Sequence, residues 1–298
     1  MKPKTLALVG NEKGGVTKTS SIGSIADALQ TMGYTVRFLS GDKGSNLTLR
    51  KLYPNTIHYD VRDEDSMDAA IGEALEAKED IVFFDFPGFS SDLVRKYFES
   101  KDREDIDNLG LRFVLIVALT EHPEPVSGGI SWVQSFMKYA EPMIIANGRD
   151  TPEGQPINIQ SIPGGDLLYK IAKNRVVEVP GFSPKMLKTY NAFPAVPSAY
   201  HPGGAAYKAL GMNLFSASPW KRHHTSVVRS VAQFAEWLVG KPIPQPFDAL
   251  SDTKKNSTDT EAMADLERLK AMYSPEAQFG QADGDGKSPS GKTKNRPE

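Results

Sequence analysis

Two lysines, three glycines and a run of hydroxyls crowd into LVGNEKGGVTKTSS, Leu8 to Ser21. Gly14 and Gly15 lack side chains and can take positive φ, so the backbone there can close around an anion. Lys18 would reach the β and γ phosphates of a nucleotide, and the Thr19 hydroxyl would ligate Mg²⁺. Val16, Thr17 and Ser20 would complete the cradle as the loop turns into a helix, whose first N–H groups carry a partial positive charge. The competing reading is a charged surface turn, and position favours the cradle: an apolar strand pattern precedes the loop and a helical pattern follows it. The strict spacing GxxxxGK[ST] is not met, because Glu12 stands at its first glycine and Thr17 directly before the lysine. A magnesium nucleotide site also needs an acidic group, and IVFFDFPG offers Asp85 at the end of an apolar run, with Gly88 to let the following loop move. An aspartate there could equally be a helix cap.

The elements that must position these groups show in the hydrophobic pattern. Thr5–Gly10, Thr35–Ser40, Asp80–Gly88, Arg112–Leu119 and Glu141–Gly148 read as buried strands. Lys18 to Met32 reads as a helix with Ile22, Ile25, Ala26 and Leu29 on one face and Gly33 as its stop. Alternating strands and helices predict an α/β fold, a mostly parallel twisted sheet with helices on both faces. Between 150 and 220 the chain is rich in Pro and Gly, with one strand candidate, Asn174 to Val179. A last amphipathic helix is predicted over Thr225 to Val239, ending at Gly240 with Pro242 beyond. The predicted domain covers 1–247. Residues 248–298 form a polar tail with one short helical stretch, TEAMADLERLKAMY, and an end from Gly280 to Glu298 too poor in apolar residues to fold.

Composition narrows the chemistry further. Of 298 residues 39% are hydrophobic and 24% charged, with a net charge of −2, so contact with nucleic acid would need a local basic patch. SPWKRHHTSVVRS supplies the strongest one, Lys221, Arg222, His223, His224 and Arg229 beside Trp220, at the start of the last helix. It suits DNA phosphates, and it equally suits a solvated helix entrance. The absence of cysteine removes disulfides, thiolate chemistry, iron–sulfur ligation and cysteine zinc sites. The two histidines are adjacent and lack metal-ligand spacing, so no structural zinc is expected, and no GxSxG element points to acyl transfer. Apolar runs such as Phe113 to Leu119 fall far short of the ~20 residues that span a bilayer, and a cytoplasmic protein is expected.

Lys13, Gly14, Gly15, Lys18 and Thr19 match KGGxxK[ST], and this segment resembles the deviant Walker A motif of the ParA/MinD family of ATPases. The resemblance implies ATP and Mg²⁺ as ligands and a P-loop NTPase fold. It implies that Lys13 reaches the phosphates of the partner subunit in an ATP-sandwich dimer, and that Asp85 belongs to the family's Walker B and switch II segment. FLSGDKGSNLTL is similar to the family's switch I pattern DxDPQGNLT. Asp42 matches its second aspartate, which helps place the attacking water, whereas Ser40 and the pair Lys43–Gly44 depart from it. Asn147 matches a position that contacts the adenine base, and Pro180 would form the other wall of that pocket.

Absences choose among the family's branches. Without cysteine the nitrogenase iron-protein, iron–sulfur scaffold and tail-anchored-protein targeting branches are removed. A single tail tyrosine, Tyr273, disfavours the tyrosine kinases, and the mixed charge of ADLERLKAMY argues against stable membrane attachment. A ParA-like partition or positioning switch is left. It would be a slow ATPase stimulated by a partner protein and dimerising on ATP, and the dimer would bind DNA non-specifically through Lys221, Arg222 and Arg229 at the nucleoid. Thr17, Ser40 and Lys43–Gly44 keep a second reading open, a nucleotide-binding accessory protein of conjugation or plasmid stability with little hydrolysis.

Overall fold

The computed structural model describes residues 4–14, 17–41, 47–152 and 155–240. Gly15, Val16, Asp42, Lys43 and Gly44 lie outside them, as do the end of the predicted domain and the tail. The first half runs β1 (Lys4–Gly10), α1 (Lys18–Thr31), β2 (Val36–Ser40), α2 (Leu47–Leu52), β3 (Ile57–His58), α3 (Glu64–Glu76), β4 (Ile81–Asp85), α4 (Ser91–Glu99) and α5 (Arg103–Asn108). Then follow β5 (Leu111–Leu119), α6 (Pro123–Phe136), β6 (Glu141–Asn147), α7 (Gly165–Ile171), β7 (Val176–Val179), α8 (Pro184–Ala192), α9 (Ala205–Ala209), α10 (Leu214–Ala232) and α11 (Ala235–Leu238).

Among the described residues the strands form one seven-stranded sheet in the order β3-β2-β4-β1-β5-β6-β7, every neighbouring pair parallel. The α/β expectation therefore stands. Because β1 leads to β2 on one side while β4 crosses to β5 on the other, the chain reverses its direction of travel around β1. The carboxyl ends of the central strands at such a point form a natural ligand crevice. Side chains alternate across the sheet. Ala7 and Val9 join a core with Ile22, Ile25 and Leu29 of α1 and Val227 and Val231 of α10. Gly10, of the opposite parity, meets Trp132 of α6 on the other side. Covering both faces is what requires β5 to be apolar throughout, and Val114 to Leu119 are fully buried.

The strand expectations differ from the observed bounds by a few residues, while two elements need correction. β3 has two residues, too few for any periodic signal. The last helix begins at Leu214, well before Thr225, and stops at Ala232, with α11 as a separate turn. Its start is set by a capping box: Asn213 Oδ1 accepts from the Ser216 amide at 2.9 Å, and the Asn213 amide donates to Ser216 Oγ at 3.0 Å. Pro219 sits in the second turn, where it forfeits one backbone bond without ending the helix. The Pro- and Gly-rich stretch is held by rings. Tyr200 stacks on Trp220 with centroids 3.8 Å apart, and Phe182 packs against both Trp220 and Tyr190. Asp27 of α1 accepts from the Ser198 amide at 2.8 Å, which ties this second core to the first.

Candidate functional site

The approach to the β1–α1 loop is fixed by Asn11, fully buried. Its Nδ2 donates to the carbonyls of Ala118 and Pro125, each at 2.8 Å, and its Oδ1 accepts from the Lys13 amide at 2.8 Å. Strand β5, helix α6 and the loop are thereby joined through one side chain. Gly128 of α6 is required by this contact, because a Cβ there would lie 2.5 Å from Asn11 Oδ1. Neither Asn11 nor Gly128 carries a signal in the hydrophobic pattern. Asn11 lies between Leu8 and Ser21, but nothing about its type announces a buried bracket.

Helix α1 opens on Lys18 and Thr19, preceded by Thr17 in the left-handed region at φ 59°, ψ 22°. Only glycine takes that conformation freely, and a β-branched residue there is strained. The Thr17 carbonyl accepts from the Ser21 amide at 2.9 Å and from Ser20 Oγ at 3.0 Å, so the strained residue starts the helix. The amides ahead of that first helical bond have no partner inside the helix, the feature that an anion site at a helix start uses.

Thr19 Oγ1 donates to Asp85 Oδ2 at 2.9 Å, across 66 residues of chain. Asp85 is buried at the end of β4, in register with Val9 on one side and Ser40 on the other. A hydroxyl and a carboxylate oxygen side by side are hard ligands of the kind that hold Mg²⁺ together with nucleotide phosphates and water. Among the described residues no three His, Cys, Asp or Glu side chains converge on a point that could form a protein-only metal cage. Beyond Asp85 the chain folds back on the loop. The Phe89 amide donates to the Glu12 carbonyl at 3.2 Å and the Ser91 amide to Glu12 Oε1 at 3.1 Å, while a Cβ on Gly88 would stand 3.3 Å from that carbonyl. Phe89 is itself left-handed, at φ 59°.

Lys13 is half-exposed, and within this chain its ammonium pairs with Glu124 in the first turn of α6. That contact holds the Glu124 carboxyl below the usual carboxylate range. Asn147, at the end of β6, is buried: its Nδ2 donates to Ser21 Oγ at 2.8 Å and its Oδ1 accepts from the Arg149 amide at 2.8 Å. It braces α1 against the sheet. Pro180 lines a cavity of about 760 Å³ that starts beside it at Gly148 and includes Phe182, Arg222 and His223.

Lys221, Arg222 and Arg229 lie on one largely exposed strip of α10 together with Ser218, Thr225 and Ser226. The spacing i, i+3, i+4, i+7 puts these cations and hydroxyls on a single face. The histidines and tryptophan grouped with them in the sequence do not share it, and all three are buried. Burial, with His224 alongside, pushes the His223 imidazole down to about 4, so it carries no charge near neutral pH. His224 Nε2 instead lies 3.5 Å from Asp27.

No family model matches the chain, and no curated protein does. Solved structures resemble it at low identity. MinD cell division protein of Aquifex aeolicus is similar with a TM-score of 0.47 and 13% identity, over 82% of this chain and 100% of that one. A MinC:MinD complex from the same organism is similar with a TM-score of 0.45 and 14% identity, over 82% of this chain and 98% of that one. Signal recognition particle receptor FtsY of Elizabethkingia anophelis, in complex with GDP, is similar over 61% of this chain and 56% of its own, with a TM-score of 0.37 and 15% identity. No helix among the described residues is long and apolar enough to cross a membrane.

Proposed function

We propose that the chain is an ATP-binding and ATP-hydrolysing switch of the ParA/MinD kind, working in the cytoplasm on the positioning of plasmid, chromosome or division machinery. The observation that carries the reading is the Thr19–Asp85 hydrogen bond at the mouth of a strand–loop–helix junction. Thr19 and Asp85 would hold Mg²⁺, which when bound with the nucleotide supplies positive charge to the phosphates. Lys18 and the amides opening α1, with Gly14, Gly15, Val16, Thr17 and Ser20 around them, bind and orient the phosphate chain. Asp42 orients the attacking water, and Asn147 and Pro180 border the base. Lys13 leaves Glu124 to reach the phosphates of a second copy, so ATP favours a homodimer. The strip of Lys221, Arg222 and Arg229 touches DNA phosphates, and a partner protein speeds a slow hydrolysis.

The test is phosphate release with and without duplex DNA. Turnover that disappears in Lys18→Ala, with dimerisation on ATP that disappears in Lys13→Ala, supports the switch. The left-handed Thr17 favours a second reading, an accessory protein that binds nucleotide and hydrolyses little. Tight ATP binding with no turnover under any condition would decide for it.

A further inference from the structure

From Val179 to Ala235 the chain carries six Lys and Arg and not one Asp or Glu, although the whole protein has more acidic than basic residues. All six, Lys185, Lys188, Lys208, Lys221, Arg222 and Arg229, are exposed. The same stretch leaves apolar side chains in solvent. Phe215 is 90% exposed, Leu214 67%, Leu187 47% and Leu210 40%. A buried aromatic core lies directly beneath, so these residues are not short of a place to pack for want of one nearby.

Between α8 and the first turns of α10 runs a groove of about 430 Å³. Met186 and Trp220 form its buried floor, Leu210 and Phe215 one wall, and Lys185 and Lys188 the other. An apolar trough with a cationic rim matches the helix-in-groove mode of recognition, in which apolar anchors at helical spacing fill the trough and flanking charges set partner and orientation. We propose that this groove docks an acidic amphipathic helix of a partner protein. Charge complementarity selects acid, because Lys185 and Lys188 rim the groove and no carboxylate among the described residues lines it. Concavity and the exposed Leu and Phe select a protein segment over DNA, whose phosphates have no use for an apolar wall and are better served by the hydroxyl-lined strip on α10. A membrane would ask for a convex apolar surface, not a trough.

The test uses the full chain and a fluorescent peptide of about 15 residues, with Leu at helical spacing and Glu elsewhere, beside a twin with Lys in place of Glu. Anisotropy should show the Glu peptide binding at least about tenfold tighter than its twin. Phe215→Ser should weaken it about tenfold, as loss of a buried aromatic anchor does, and Lys185→Glu with Lys188→Glu should weaken it further in a salt-dependent way. ATP turnover and the thermal melt should stay as in the parent for these surface changes. Failure of the Glu peptide to bind, equal binding of the two peptides, or undiminished binding by Phe215→Ser would each overturn the proposal. So would competition through Phe215 by duplex DNA or by phosphatidylglycerol vesicles, which would give the face to nucleic acid or to lipid.

Discussion

Around the β1–α1 loop, Asn11, Glu12, Thr19 and Asp85 tie one element to the next by hydrogen bonds, and Gly10, Gly88 and Gly128 sit where a Cβ would crowd its neighbours. Along α8 to α10 the chain is held by stacked rings instead, while Leu214 and Phe215 stand in solvent. The first region is specified atom by atom, as the proposed site for a small, highly charged ligand would have to be, since a donor displaced by an ångström no longer meets a phosphate oxygen. The second is specified by volume and charge, which suits a broad partner that can adapt to it. If that contrast is real, damage to one region should leave the other working.

The largest separation is expected from Trp220→Ala. Removing the fully buried ring on which Tyr200 stacks should cost about 3–5 kcal/mol of unfolding free energy, read from urea denaturation. Nucleotide affinity of the molecules that remain folded should be unchanged. An equal loss of nucleotide binding would make the two regions one cooperative unit and break the comparison. Lys18→Ala is the converse. Phosphate release should fall about 100- to 1000-fold, as when one donor to developing charge is removed, with little change in the melt.

Acid should find the second region first. His223 is buried, and its folded value near 4 lies below the ordinary 6.5, so the folded chain refuses a proton that the unfolded chain accepts. Above about pH 6.5 that group's contribution to stability is whole. It drains away as the pH falls from 6.5 to 4, by an amount on the order of 3 kcal/mol, and is gone below 4. Urea midpoints measured across this window should fall in the parent and fall less in His223→Phe, whose ring can keep the contact with Phe182. Parallel slopes would remove the assignment to His223.

These regions were also unequally legible in the sequence. The strands of the sheet are continuous apolar runs because helices cover both faces, and that pattern survives any change of context. Thr19 and Asp85 could be paired in advance because a magnesium site would ask for a hydroxyl at the helix start and a carboxylate at a strand end, and the structure joins the two by a hydrogen bond. Asn11 was not legible, since its role depends on carbonyls of Ala118 and Pro125 more than a hundred residues away. The start of α10 was hidden for a local reason: a capping box and a tolerated proline look like loop until the helix behind them is known. The basic cluster was half legible. A linear window cannot tell that Lys221 and Arg222 face solvent while His223 and His224 face the core, because the helix start that sets the phase was misplaced.

Thr17 offers the finest test, because it lies in the region specified atom by atom yet breaks its own local rule. At φ 59° the threonine costs roughly 1–2 kcal/mol, while glycine would pay only up to about 1 kcal/mol in lost unfolded-chain freedom. Thr17→Gly should therefore raise stability by about 0.5–1 kcal/mol, a shift of a few degrees in the melt. Its effect on turnover separates two explanations of the strain. If the left-handed threonine holds the loop back from the geometry of reaction, relieving it should speed phosphate release several-fold with ATP affinity little changed. If the threonine is only a tolerated substitution, stability should rise with the rate unmoved. A lower stability for the glycine variant would mean that the Thr17 side chain contributes more than its backbone costs, and the strain would then be offset within the loop rather than carried by it.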